Sequence, residues 1–208
     1  NNTGGTDTTS IGINILGNPE IVFLDRLQVT NAAKPINIGT AGVNAGPDHL
    51  YITNMDIQSV AINPPVNALI TATDGTNISS VAFRNIAGVG GNGFFFWDST
   101  VTGGGNGINI TFDAIRYEDG GLSGTTQRAF TLRPFSSATT VKFQNLYIGT
   151  QNTAFELRRV KNATFDTIEV AGNVAGQCSF DIINTDNDIL FMHITSNQNA
   201  GCATVGAG

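Results

Sequence analysis

The chain has 208 residues, 40% of them apolar and only 12% charged, with 25 glycines and a formal net charge of −6. That is enough apolar mass for one sizeable core, while the acidic balance and the absence of clustered Lys and Arg exclude a surface built to hold nucleic acid. No run of 18 apolar residues and no basic-then-apolar leader occurs, so neither a membrane-spanning helix nor a retained signal peptide is expected.

Residues 1–10 are rich in Asn, Thr and Gly and predict an irregular end. From there the chain reads as short segments rich in Val, Ile, Thr and Phe at alternating positions, and good helix formers never recur at a 3.6-residue spacing for more than a turn. Taken in order, the predicted strands come in threes. They fall at 11–15, 21–25 and 27–29, then at 36–40, 50–54 and 55–57, then at 67–73, 81–85 and 86–89. The later sets are 93–98, 110–114 and 115–117; 129–133, 141–145 and 146–148; 154–158, 163–167 and 168–170; and 179–183, 189–193 and 194–196. Residues 200–208 predict a second irregular end. With no capping helix at either end, a single domain over 1–208 is expected as part of a longer chain or an assembly.

The middle strand of each set repeats one pattern: IVFLD, LYITN, VAFRN, ITFDA, VKFQN, ATFDT and ILFMH. Their central residues, Phe23, Ile52, Phe83, Phe112, Phe143, Phe165 and Phe191, recur at 22 to 31 residues, a period that marks a solenoid. Two residues on stand Asp25, Asn54, Asn85, Ala114, Asn145, Thr167 and His193. Asn and Asp tolerate the left-handed backbone of a sharp bend, and stacked asparagines hydrogen-bond along a column.

In the first strand family Phe95, Phe130, Phe155 and Phe180, with Trp97, Leu132, Leu157 and Ile182 two residues on, share one parity and are expected in the core. The fold class is therefore all-β, a solenoid coil of about seven rungs of three short strands. The three-strand rung and the Asn54, Asn85, Asn145 ladder resemble the pectate lyase-like β-helix superfamily, which includes pectin-degrading enzymes and phage tailspikes and appendages. The resemblance covers residues 11–196 and implies a single-stranded right-handed parallel β-helix with a substrate groove along the first strand family.

Two outward columns would line that groove: Phe96, Thr131, Glu156 and Asp181, and beside them Asp98, Arg133, Arg158 and Ile183. Glu156 and Asp181, one rung and so about 4.8 Å apart, are a candidate acid and base pair. Arg133, Arg158 and Arg159 are near enough to neutralise both instead. In related lyases an Arg or Lys acts with calcium, and Glu156, Asp181, Arg133 and Arg158 are the catalytic candidates if the chain is an enzyme. A calcium ion would draw on Asp98, Glu156 and Asp181, which are spread over four rungs; no other metal or cofactor site is read.

Phe94, Phe96 and Trp97 cannot all be buried by alternation, so Phe96, Trp97 and Asp98 form a candidate carbohydrate platform, flanked by the long excursions 99–109 and 116–127. Cys178 and Cys202, about one repeat apart, are a disulfide candidate, with two stacked thiols as the alternative. The function expected is recognition of an extracellular polysaccharide or cell-surface glycan by a viral tail appendage, adhesin or surface fibre. The alternatives are a polysaccharide lyase or glycoside hydrolase, and a structural filament subunit stacking end to end as a homo-oligomer.

Overall fold

The computed structural model of the chain describes residues 10–59, 68–100, 107–119, 128–135, 139–150, 153–172, 178–183, 188–196 and 203–206. Among them there is no helix. The regular structure is a set of strands: β1 (Ile11–Ile15), β2 (Ile21–Asp25), β3 (Gln28–Thr30), β4 (Lys34–Ile38), β5 (His49–Ser59), β6 (Ile70–Ala72), β7 (Ile78–Gly90), β8 (Phe95–Asp98), β9 (Gly107–Glu118), β10 (Phe130–Arg133), β11 (Thr139–Gly149), β12 (Phe155–Arg158), β13 (Val160–Ala171), β14 (Phe180–Ile183), β15 (Ile189–Ser196) and β16 (Ala203–Gly206). They form two parallel sheets. The short strands from β4 on join β1 in the order β1-β4-β6-β8-β10-β12-β14-β16, and the long strands run β15-β13-β11-β9-β7-β5 and end on the short β2, with β3 also on β5. Since each turn of chain contributes one strand to each sheet, the molecule is a parallel β-solenoid.

The second and third predicted strands of most repeats are one strand with a bend in it. In β5, β7, β9, β11, β13 and β15 the bend falls on Asn54, Asn85, Ala114, Asn145, Thr167 and His193, each at a φ between 51° and 57°. These are left-handed values that Asn accepts readily and that cost Ala and Thr more. Side-chain amides tie part of the column: Asn85 Nδ2 donates to Asn54 Oδ1 at 2.7 Å, and Asn54 Nδ2 to Asp25 Oδ1 at 2.7 Å. Ala114 has nothing to donate or accept, so Asn145 Nδ2 bonds Asp113 Oδ1 instead, at 2.9 Å.

The first repeat is shifted by one residue from the expectation. Leu24, not Phe23, stands opposite Ile52, and the left-handed residue is Arg26 at φ 55°, not Asp25. A one-residue slip reverses the face of every side chain, and Phe23 accordingly lies outside, 69% exposed, while Leu24 packs against the core. The cause is visible in the third strand, where Val29 opposite Ile57 requires a spacing one residue shorter than that from Phe23 to Ile52.

The core is a phenylalanine zipper. Phe83, Phe112, Phe143, Phe165 and Phe191 stack face to face along the long-strand sheet at 4.8–5.1 Å. Phe130, Phe155 and Phe180 stack along the other sheet at 5.1–5.2 Å. Across the interior the two columns meet edge to face, Phe143 against Phe130 and Phe155, Phe165 against Phe155 and Phe180. Offset stacks and T-shaped pairs are the two arrangements that aromatic quadrupoles favour, and here one ring takes part in both.

At the C-terminal end the expected irregular segment contains β16, whose Val205 pairs in register with Ile182. Cys178 is disulfide-bonded; its predicted partner Cys202 lies outside the described residues. No helix among the described residues is long and apolar enough to cross a membrane.

Candidate functional site

The short strands β8, β10, β12 and β14 are in continuous register, so Phe96, Thr131, Glu156 and Asp181 form one outward column, and Asp98 and Arg133, then Arg158 and Ile183, form the next. Both columns are those expected from alternation. What alternation does not show is their burial. Glu156 is only 1% exposed, although it points away from the core.

Arginines bury it. Arg133 places Nε at 3.1 Å and Nη2 at 2.6 Å from Glu156 Oε1, and its Nη1 at 2.8 Å from Asp98 Oδ2. Arg158 Nη2 lies 3.1 Å from Glu156 Oε1 and 2.7 Å from Asp181 Oδ2, while its Nη1 donates to the Asp181 carbonyl at 2.9 Å. Arg128 Nε approaches Glu156 Oε2 at 2.5 Å, by charge and not along a hydrogen-bond axis. Three guanidinium groups thus face three carboxylates, and the cluster is neutral. Burial works against the charge on Arg133, but its hydrogen bonds to Glu156 and Asp98 outweigh it and hold the guanidinium pKa above its ordinary value. Arg159, at a left-handed φ of 58°, directs Nη2 toward the carbonyls of Ser99 and Arg133 at 3.4 and 3.5 Å and so ties the strand ends together.

This arrangement determines what the face can do chemically. A pair of carboxylates that divides acid and base work must flank an open space for the scissile bond. Between Glu156 and Asp181 that space holds Arg158 Nη2. Asp98, Glu156 and Asp181 each accept from an arginine, and among the described residues no group of three His, Cys, Asp or Glu side chains converges as a metal site.

Of the three platform residues, Phe96 shows its ring to solvent, 40% exposed, and Asp98 is half-buried under Arg133. Trp97 is not on the surface: it is fully buried, which corrects its place in the platform. Its ring fills the interior under β9, where a Cβ at Gly107 would come within 2.7 Å of Trp97 Cη2. Phe94 is buried as well, so of the three rings Phe96 is the outward one. Parts of the flanking excursions, residues 101–106 and 120–127, lie outside the described residues.

Arg128 is the member that sequence reasoning missed. It shares the parity of Phe130 and Leu132, so alternation assigns it to the core. It reaches the outer face because it precedes the strand, where the chain has not yet taken up alternation and Ala129 and Phe130 are both buried.

No family model matches the chain, and neither curated proteins nor solved structures give a match.

Proposed function

We propose that this chain is a right-handed, pectate lyase-like β-helix of about seven rungs that recognises an extracellular polysaccharide or cell-surface glycan, as part of a viral tail appendage, adhesin or surface fibre. Right-handedness follows from the strong preference of parallel strand crossovers in one sheet. The reading places the groove on the outer face of the short-strand sheet. Phe96 supplies an apolar plate for a sugar ring, and the largely buried guanidinium groups of Arg133 and Arg158 turn their exposed edges outward as donors for hydroxyl or carboxylate oxygens.

One observation favours binding over turnover: Arg158 Nη2 stands between the Glu156 and Asp181 carboxylates, at 3.1 and 2.7 Å. A face whose acids are cross-linked by arginine is rigid and charge-balanced, which suits a recognition surface.

A glycan array probed with the chain, followed by chromatography of each bound glycan after long incubation, tests this. The expected result is binding without shorter products, weakened about tenfold by Phe96→Ala, the loss of one stacking contact. Release of shorter or unsaturated saccharides that stops in Asp181→Asn would overturn it in favour of a lyase or glycosidase.

A further inference from the structure

The long-strand sheet carries a second outward surface that the groove above does not use. Phe23 lies flat on Tyr51, with centroids 4.8 Å apart and planes at 12°. Tyr51 points outward by alternation beside the buried Ile52, and Phe23 joins it because the bend of the first repeat falls on Arg26. Three residues further along each strand, about 10 Å at the strand rise, the bend residues Arg26, Asn54 and Asn85 turn the surface. With Gln28, Asp56 and Ala87 beyond the bend they line an open groove.

The groove sets polar side chains beside the apolar surface of Leu27 and Met55, and its charges nearly balance. Arg26 and Asp25 pair at 3.3 Å, with the arginine side chain 83% exposed, and Asp56 accepts from Gln28 at 3.2 Å and from Gln58 at 3.3 Å. The amide column ends at Asn85, because Ala114 above it carries no donor for Asn85 Oδ1. An acceptor on Asn85 and donors on Arg26 and Gln28 are therefore presented along one wall, with the small side chain of Ala87 leaving room in front of them.

We propose that this groove and the Phe23–Tyr51 pair form a binding site for a neutral oligosaccharide. One hexopyranose lies on the aromatic pair, and the hydroxyls of the next bond to Asn85, Gln28 and Arg26. A pyranose offers an apolar C–H face and a hydroxyl edge, which matches a ring plate followed by mixed donors and acceptors. Polyanions match it poorly, since Asp25 and Asp56 outweigh Arg26. The site is separate from the Phe96 face and does not depend on what that face binds.

The test is titration of the 15N-labelled chain with neutral hexasaccharides of glucose, mannose and galactose, following backbone amides. At least one sugar should shift the amides of Tyr51 and Asn85 in a saturable way. Phe23→Ala and Asn85→Gly should each weaken that binding about tenfold, while Phe96→Ala leaves it unchanged. Phe23 is exposed and glycine accepts the left-handed bend, so both variants should keep the far-ultraviolet dichroism of the parent. The site is overturned if none of the sugars moves these amides, if shifts are confined to β8 and β10, or if both variants bind as the parent does. Loss of glycan binding at Phe96 alone would sink the earlier proposal and leave this one standing.

Discussion

Arg133 binds Glu156 through two nitrogens on a single carboxylate oxygen, Nε at 3.1 Å and Nη2 at 2.6 Å. Glu156 also faces Arg128 and Arg158, so one buried anion holds three cations on the outer face of the short-strand sheet. Removing one partner of a buried charged network leaves the others desolvated and uncompensated. Glu156→Ala should therefore destabilise the chain by about 3 kcal/mol, measured as a lower midpoint in urea. Glu156→Gln, which keeps an acceptor oxygen, should lose less. A Glu156→Ala midpoint equal to the parent's would mean that solvent already satisfies the arginines.

The bend column offers a stabilising change. Ala114 sits at φ 53° between Asn85 and Asn145 and contributes no hydrogen bond to the column. Ala114→Asn replaces a residue that resists left-handed backbone with one that accepts it and returns an amide to the gap. A gain of about 1 kcal/mol is expected. A fall in the unfolding midpoint would argue that the column has no room for the amide.

Gly107 is a packing requirement. An added Cβ would come within 2.7 Å of Trp97 Cη2 and 2.9 Å of Cζ3, and Trp97 is fully buried with nowhere to swing. Gly107→Ala should cost about 1–3 kcal/mol by overpacking. Because the chain has one tryptophan, its fluorescence reports the site directly. Emission at longer wavelength together with a lower thermal midpoint is the expected signature, and an unchanged spectrum and midpoint would count against it.

Acid should loosen the first turns. Hydrogen bonds from Thr53 and Asn54, with help from the Arg26 charge, hold the Asp25 carboxyl below its ordinary value of 3.8. The folded state therefore binds this proton less readily than the unfolded state does. The contribution is fully present above about pH 4 and is lost as pH falls through the lower folded value. Carboxyl NMR titration should place the Asp25 midpoint below 3.8 in the parent and nearer to it in Asn54→Gly. A midpoint that does not respond to Asn54→Gly would remove the ladder from the explanation.

Much of this was legible in the sequence, for a physical reason. A strand alternates faces with a period of two and a solenoid repeats it in register, so Phe130, Phe155 and Phe180 could be assigned to the core and Phe96, Glu156 and Asp181 to the outside from spacing alone. The left-handed bends at Asn54, Asn85 and Asn145 followed from what an asparagine backbone tolerates. The strand-and-bend pattern aligns Phe23 with Ile52, yet the register partner of Phe23 is Tyr51. The 28-residue spacing from Val29 to Ile57 carries the true register.

Alternation and repeat length are local properties of the chain, so residue order alone fixes which residues share a column. What each column does is set by the folded molecule. Burial and charge pairing depend on side chains arriving from other turns. Thus Glu156, on the outer face by alternation, is enclosed by Arg128, Arg133 and Arg158, and Phe23, aligned with Ile52 by the repeat pattern, is an open plate stacked on Tyr51.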